Sequence, residues 1–143
     1  MIESTFGLLK PDAVDRNLDQ IIFSKILKCN LIIDNKKKLT LTKFDVEYIY
    51  GHNLGQSFWN DYVNYMTCGP IVGFIVNGES AISNLNNLVG YYIPNLAKEG
   101  TIRKELGIHD YFKKYKCFQN IIHSSVNQEK AEYELRWFNE KSR

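Results

Sequence analysis

Gly69-Pro70-Ile71-Val72-Gly73-Phe74-Ile75-Val76 is the stretch that decides the fold. A glycine–proline pair opens a run that is apolar at almost every position, which is typical of a buried strand. Ser80 follows four residues later and is expected to cap a helix. That helix places four apolar residues on one face, namely Ala81, Ile82, Leu85 and Leu88. The stretch therefore predicts a strand that leads into a helix at the centre of the molecule.

The remainder of the chain alternates between strands and helices without a linker or an internal repeat. Strands are predicted at Thr5–Leu9, Ile32–Leu41 and Ile121–His123, and helices at Leu18–Cys29, Thr42–Tyr50, Phe58–Met66 and Asn127–Trp137. The order lacks a strict βαβ period, so we expect an α+β fold with helices on one face of a sheet. A long irregular stretch from Gly90 to about Phe118 contains one helix start, at Gly100-Thr101-Ile102-Arg103.

Length and composition limit the function classes. The chain has 143 residues and a formal net charge of +2, so we expect one domain, residues 1–143, and no general nucleic-acid surface. The three cysteines, Cys29, Cys68 and Cys117, are an odd number without CxxC spacing, which indicates neither a disulfide framework nor a zinc site. No signal peptide or membrane span is recognisable, so a soluble, cytoplasmic protein is predicted.

His123 is the strongest candidate for a chemical role. It ends the apolar pair Ile121-Ile122, with Gln119-Asn120 before that pair and Ser124-Ser125 after the histidine. A strand end is a position where a fold presents a side chain. The unperturbed pKa of imidazole lies near neutrality, so its lone pair is available for nucleophilic attack. A histidine near a strand end is, taken alone, more often structural. His52 and His109 lack comparable context and are interpreted as surface residues.

Four segments occur in the order found in nucleoside diphosphate kinases, a family that the chain resembles from about Thr5 to Phe138. The segments are Leu8-Leu9-Lys10-Pro11-Asp12-Ala13, Tyr65-Met66-Thr67-Cys68-Gly69-Pro70, Gly100-Thr101-Ile102-Arg103 and Asn120-Ile121-Ile122-His123. The resemblance implies a ferredoxin-like βαββαβ core, a four-stranded antiparallel sheet with helices packed on it. It also implies transfer of the γ-phosphate of ATP or another nucleoside triphosphate to a nucleoside diphosphate, through a phosphohistidine.

The resemblance further assigns roles to individual residues. It implies that His123 is the nucleophile, that Glu134 and Ser125 support its imidazole, and that Tyr50 lies beside it. The nucleotide is expected to contact Lys10, Phe58, Arg103 and Asn120, with Phe58 near the base. Mg²⁺ would be carried by the nucleotide phosphates rather than by protein ligands, and a homo-oligomer is expected. Alternatives from the residues alone remain open. Glu134 could be an ordinary helix charge, and Phe58 could be a core residue, although the neighbouring Trp59 could be the core residue instead.

Several positions depart from the family pattern on the phosphate side. Asn86 replaces an arginine that contacts phosphate, Tyr92 replaces a threonine with a similar role, and Glu99 replaces a proline and would bring negative charge towards the phosphates. Ser124 and Val126 replace a glycine and an aspartate. We therefore expect a kinase that is slower than typical members. One compensating hypothesis is that a lysine of the long loop, Lys104 or one within 113–116, supplies the lost charge.

Two other readings compete with a kinase. The first is a kinase-like binding module that holds a nucleotide or a protein in the same groove without transferring phosphate, and the substitutions at positions 86, 92 and 99 favour it. The second is a nucleic-acid-binding protein that uses Lys36-Lys37-Lys38 and the basic loop. The near-neutral charge and the absence of interleaved aromatic residues make nucleic-acid binding the weakest of the three interpretations.

Overall fold

Four antiparallel strands form one sheet in the computed structural model, which describes residues 1–107, 116 and 119–143. The strands are β1 (Ile2–Leu9), β2 (Ile32–Leu39), β3 (Ile71–Glu79) and β4 (Ile122–Ser124). Their spatial order is β2-β3-β1-β4, and each neighbouring pair is antiparallel. Helices connect β1 to β2 and β3 to β4, which gives the ferredoxin-like βαββαβ topology. This fold class was predicted from the sequence and is confirmed.

Seven α-helices accompany the sheet in the described part of the chain. They are α1 (Pro11–Asp15), α2 (Asp19–Leu27), α3 (Lys43–Tyr50), α4 (Trp59–Met66), α5 (Ala81–Val89), α6 (Ile102–Leu106) and α7 (Gln128–Lys141). Short 3₁₀ turns lie at Gly51–Asn53 and Pro94–Leu96. The five helices expected from periodicity are all present as α2, α3, α4, α5 and α7, and α6 begins at the predicted helix start. Among the described residues, no helix combines the length and apolar character that a bilayer crossing requires.

Helices cover both faces of the sheet, so the expectation of a single covered face was wrong. Side chains from α2 and α5 pack with Phe74 and Val76 of β3 in one apolar cluster. Side chains from α3, α4 and α7 pack with Phe6 and Leu8 of β1 in a second cluster. Successive strand residues point to opposite faces. The unbroken apolar run of β3 therefore supplies both clusters, because Ile71 belongs to the second one.

The N-caps of two helices were predicted from the sequence. In the structure, the side chain of one of them caps its helix and the side chain of the other does not. Thr42 forms a capping box with Asp45 at the start of α3, as its position indicated. Ser80 occupies the N-cap position of α5 but its side chain makes no capping hydrogen bond. Its backbone is left-handed, with φ of 48°. The carboxylate of Glu3 accepts from the Ile82 N–H instead, at 3.1 Å, so the cap comes from the neighbouring strand β1.

The basic run of β2 lies on the free edge of the sheet. Lys36, Lys37 and Lys38 are exposed, as the sequence suggested, and a register shift against β3 falls between Asp34 and Lys37. Lysines and irregular pairing are common at sheet edges because they oppose the pairing of one edge with another. The run therefore has a structural explanation that does not require a nucleic-acid ligand.

Asp45 joins α3 to α7 and carries a prediction for stability. Its Oδ1 accepts from the Trp137 indole N–H at 3.0 Å and lies 3.1 Å from the Lys141 ammonium, while Oδ2 accepts from the Thr42 N–H at 2.9 Å. Asp45→Ala removes the bond that Asp45 accepts from the Thr42 N–H, which is the reciprocal half of the capping box, and it leaves the Trp137 indole without its acceptor. We expect a loss of about 2–4 kcal/mol in the free energy of unfolding, measured in urea. Glu129→Ala, in the first turn of α7, is the matched control and should change it little.

The acid dependence of this contribution follows from the pKa of Asp45. Burial would raise that pKa, but hydrogen bonds from Thr42, Trp137 and Lys141 outweigh burial and lower it from 3.8. A carboxyl group with a lowered folded-state pKa stabilises the protein above its unfolded pKa and ceases to do so as pH falls through the folded value. The difference in stability between wild type and Asp45→Ala should therefore shrink below pH 3.8. A difference that is constant with pH would contradict the assignment.

Candidate active site

The turn before β4 places His123 on an edge strand of the sheet, next to β1. Ile121 is fully buried and has φ of 61°, a left-handed conformation that is rare for a β-branched residue. The Ile122 N–H donates to the Asn120 carbonyl at 2.7 Å and closes the turn. The Ile121 carbonyl accepts from the Lys10 N–H at 2.8 Å, which joins the turn to the end of β1. His123 then pairs with Leu8 in the sheet.

A carboxylate and a hydroxyl hold one nitrogen of the His123 ring. Nε2 lies 2.7 Å from Glu134 Oε1, and the same oxygen accepts from the Ser125 hydroxyl at 2.6 Å. Glu134 occupies the buried side of α7 together with Ala131, Trp137 and Phe138. No described residue forms a hydrogen bond with Nδ1. Because a carboxylate on Nε2 favours the tautomer protonated there, the lone pair is on Nδ1.

The Glu134 carboxylate is kept ionised by its partners. Burial would raise its pKa, but interaction with His123 and the hydrogen bonds from His123 and Ser125 outweigh burial and lower it from 4.5. Its side chain is 3% exposed. An ionised, buried carboxylate can stabilise positive charge that develops on the imidazole during a reaction.

Aromatic rings fix the plane of the His123 imidazole. Tyr50 lies edge-on to it, with ring centroids 5.1 Å apart, and Phe6 packs at 6.0 Å. Burial raises the pKa of the Tyr50 hydroxyl well above 10.0, so this group is neutral. Tyr50 therefore contributes shape and a neutral hydroxyl rather than charge.

Lys10 lies at the end of β1, where a following proline keeps its backbone extended and starts α1. Its ammonium donates to Asn120 Oδ1 at 2.6 Å and to the Tyr62 hydroxyl at 3.1 Å. It also lies over the ring of Tyr50, 5.7 Å from the centroid. The side chain is buried. A cation held by amide, hydroxyl and ring groups is suited to binding an anion that enters the site.

Arg103 is positioned by three backbone carbonyls. Nε donates to Asn120 at 3.3 Å, Nη1 to Gly90 at 3.0 Å and Nη2 to Ile122 at 2.5 Å. Burial lowers the pKa of the guanidinium. Two of these bonds hold the turn before His123, and the third joins Arg103 to Gly90 at the end of α5. Among the described residues, two of the five N–H donors of the guanidinium are not used in these bonds.

One cavity of about 810 Å³ brings these groups together. Phe58 lines it, while the neighbouring Trp59 is buried in the second apolar cluster. All four residues expected to contact the nucleotide line the cavity, and so do His123 and Tyr50; Ser125 and Glu134 lie behind the histidine. The described lining is Lys10, Tyr50, His52, Asn53, Phe58, Tyr62, Asn86, Gly90, Tyr91, Tyr92, Arg103, Asn120, His123, Ser124 and Val126.

The substituted positions have different places in the structure. Asn86 and Tyr92 line the cavity, and the Tyr92 carbonyl accepts from the Asn120 amide at 2.8 Å. Glu99 is exposed and is not part of the described lining, so it is not one of the residues that face the cavity. It lies in the chain between the 3₁₀ turn at Pro94–Leu96 and α6.

Sequence reasoning missed five residues of the described lining, which are His52, Asn53, Tyr62, Gly90 and Tyr91. Tyr62, which accepts from Lys10, lies one helical turn after Phe58, and this spacing on α4 is a signal that could have identified it. His52 is exposed, as expected, but it also lines the cavity. Its partial burial there is the largest cause that lowers its pKa, and electrostatic interactions with Lys130 and His123 lower that pKa further. No periodic pattern predicts that a residue of a 3₁₀ turn reaches this place.

Two of the lysines proposed to supply the lost charge, Lys104 and Lys116, are described, and neither is part of the described cavity lining. The Lys104 ammonium donates to the Asn95 carbonyl at 2.9 Å, and Lys104 does not line the cavity. Lys116 is exposed. Lys113 and Lys114, with His109 and Cys117, lie outside the described residues.

The fold, a cationic cavity and a histidine on the central sheet are features of a phosphotransferase. A family model for nucleoside diphosphate kinase matches residues 3–143. The chain belongs to the nucleoside diphosphate kinase family, as the four sequence segments suggested.

Individual relatives are similar over almost the whole chain. A nucleoside diphosphate kinase of Lawsonia intracellularis is 36% identical over 137 residues, which cover 96% of this chain and 94% of that protein. A nucleoside diphosphate kinase of Staphylococcus aureus is 35% identical over 140 residues, which cover 97% and 89%. Among solved structures, an NDP kinase from Pyrobaculum aerophilum superposes with a TM-score of 0.84 at 26% identity, with 96% of each chain covered.

A second solved structure is a transition-state mimic. It is a nucleoside diphosphate kinase from Borrelia burgdorferi with bound vanadate and ADP, and it superposes with a TM-score of 0.86 at 26% identity. The match covers 94% of this chain and 85% of the other.

Proposed function

We propose that this protein transfers the γ-phosphate of a nucleoside triphosphate to a nucleoside diphosphate in two steps through a phosphohistidine on His123. The observation that carries the proposal is the engagement of Nε2 by Glu134, which leaves the Nδ1 lone pair available in a cationic cavity. Family membership and the vanadate and ADP found in a related kinase support the same reaction. The proposed nucleotide contacts are Lys10, Phe58, Arg103 and Asn120.

The two steps are mirror images. The Nδ1 lone pair attacks the γ-phosphorus, an N–P bond forms, and the P–O bond to the β-phosphate breaks and releases the diphosphate. A terminal phosphate oxygen of the second diphosphate then attacks the same phosphorus, and the N–P bond breaks to regenerate the imidazole. Glu134 fixes the reactive tautomer, and Lys10 stabilises the transferring phosphoryl oxygens electrostatically.

Mg²⁺ fits this site as a companion of the nucleotide. The described cavity lining contains no carboxylate, and the described residues contain no cluster of three or more His, Cys, Asp or Glu side chains that could hold a metal. The available groups are cations, amides, hydroxyls and rings, which bind phosphates and a base rather than a metal. Mg²⁺ bound to the phosphates would supply charge neutralisation when present.

The test is labelling of the wild-type protein with γ-³²P ATP and Mg²⁺. We expect one phosphate per chain that is lost in acid, retained in base and removed by GDP with formation of labelled GTP. Absence of label, with nucleotide still bound, would overturn the proposal in favour of a binding module. One observation favours the binding module. Asn86 and Arg103 donate hydrogen bonds to backbone carbonyls of the protein, so these donors are not available to a phosphate.

Glu134→Gln should slow phosphorylation of His123 about tenfold to a hundredfold, because it replaces a charge-assisted hydrogen bond with a neutral one. The lowered pKa of Glu134 keeps the carboxylate ionised until pH falls below 4.5. Its stabilising contribution is therefore present above that pH and is lost as pH falls through the folded pKa. The measurements are rapid-quench labelling and unfolding from pH 3 to 7.

Glu132→Gln is the matched control for this prediction, since Glu132 is exposed on the same helix. Equal labelling rates in Glu134→Gln and wild type would contradict the role given to Glu134.

Further expectations complete the proposal. We propose that residues 1–143 act as one domain in the cytoplasm, as a homo-oligomer, on ATP and other nucleoside tri- and diphosphates. Phe58 supports a broad choice of base, because every base has a face that can stack on an aromatic ring. Size-exclusion chromatography with light scattering tests the oligomer.

A further inference from the structure

We propose that Asn86 is a positioning residue that acts with Ser124 to hold the segment after His123 in its reactive arrangement. The inference rests on the proposed function, since it concerns His123 as the nucleophile. It gives position 86 a different task from the phosphate contact that an arginine would make there.

Asn86 projects from α5 towards the residues that directly follow the histidine. Its Nδ2 donates to the Ser125 carbonyl at 2.9 Å and, more weakly, to the Val126 carbonyl at 3.4 Å. Its Oδ1 accepts from the Ser124 hydroxyl at 2.6 Å. One carboxamide therefore contacts three consecutive residues, the last residue of β4 and the first two of the connection to α7.

This connection carries two supports of the imidazole. Ser125 donates to Glu134, the carboxylate that holds Nε2 of His123. Asn127 caps α7, the helix that carries Glu134, by accepting from the Lys130 N–H at 2.8 Å. A displacement of the segment would move both the hydroxyl and the helix, and so would alter the hydrogen bond on Nε2.

The hydrogen-bonding needs of Ser124 and Ser125 explain why an amide side chain fits position 86. The Ser124 hydroxyl needs an acceptor, and the Ser125 carbonyl needs a donor. A carboxamide offers both, whereas a guanidinium offers donors only. With Oδ1 and Nδ2 both used on the protein, Asn86 has little capacity left for a phosphate.

The experiment compares Asn86→Ala, Ser124→Ala and their double variant with wild type and with Asn87→Ala. Asn87 is the adjacent, exposed residue of α5 and serves as the matched control. The first readout is the ¹⁵N chemical-shift pattern of the His123 ring without nucleotide. The second is the rate constant of phosphorylation, separated from the KM for ATP.

We expect Asn86→Ala to shift the His123 ring towards the other tautomer and to lower the phosphorylation rate constant about five- to tenfold, with little change in KM. Ser124→Ala should change both readouts less than Asn86→Ala does. The double variant should give the same values as Asn86→Ala, because the Ser124 side chain acts through its hydrogen bond to Asn86. Asn87→Ala should behave as wild type in both readouts.

Three results would overturn the inference. They are a raised KM with an unchanged rate constant, a lowered melting temperature with an unchanged ring tautomer, and independent, additive effects of the two substitutions. The tautomer measurement needs no phosphoryl transfer. Failure of the wild-type protein to take label, together with a tautomer shift in Asn86→Ala, would therefore refute the proposed function and support the positioning role.

Discussion

His123→Ala should abolish acid-labile labelling by ATP and lower the rate of phosphate transfer between nucleotides at least about a thousandfold. The reason is that no other group replaces a covalent nucleophile, and binding alone leaves only residual catalysis. The variant should remain folded, because the imidazole packs against Phe6 and Tyr50 near the cavity surface rather than in the centre of either apolar cluster. Labelling, a coupled turnover assay and a urea titration measure these outcomes.

His52→Ala is the informative comparison for this prediction. It removes a second imidazole that lines the same cavity, and it should still acquire one acid-labile phosphate per chain. Transfer of the label to His52 in the His123→Ala protein would show that the cavity, rather than the Glu134-held histidine, determines which side chain is phosphorylated. Such a result would contradict the mechanism.

Lys10→Met should give the second largest effect, a fall of about a hundredfold to a thousandfold in kcat/KM for ATP, because a preorganised cation near the transferring phosphate is lost. Methionine keeps the apolar stem of the side chain and removes only the charge. The Asn120 amide and the Tyr62 hydroxyl lose their shared donor, so the fall should appear in the phosphorylation rate constant as well as in nucleotide binding.

Lys38→Met is the control, since Lys38 is exposed on the edge strand β2. It should leave labelling unchanged. Lys10→Met leaves the buried Asn120 Oδ1 without its donor, which costs about 1–3 kcal/mol, so the urea midpoint should fall moderately while the protein remains folded for the labelling assay. A labelling rate for Lys10→Met equal to that of Lys38→Met would remove Lys10 from the mechanism.

Most of the fold could be predicted from sequence because its signals are local. The Thr42–Asp45 box, the apolar run at Ile71–Val76 and the helical spacing in α2 and α7 each depend on residues that are close in the chain. The expectation of one covered face failed although the run at Ile71–Val76 contained the answer. A strand without alternation is apolar on both faces and requires two layers of helices.

The main residues of the site could be predicted from the sequence, but the hydrogen bonds that join them to the rest of the fold could not. Four segments in family order indicated His123, Lys10, Arg103 and Asn120, whereas the partner of Asn86 is 38 residues away and no periodicity joins them. The Glu3 cap on α5 shows the same limit, because 79 residues separate its donor and acceptor. Long-range hydrogen bonds depend on how elements pack, which one sequence does not reveal.

The left-handed backbone at Ile121 determines when the conformational cost of positioning His123 is incurred. An unfavourable conformation at a β-branched residue costs about 1–3 kcal/mol, and here it is held by hydrogen bonds that the protein itself supplies, from the backbone N–H groups of Lys10 and Ile122. That cost is met once, when the chain folds, and not again in each catalytic cycle. The nucleotide would therefore meet a histidine that is already in place, and its binding energy remains available for the phosphates.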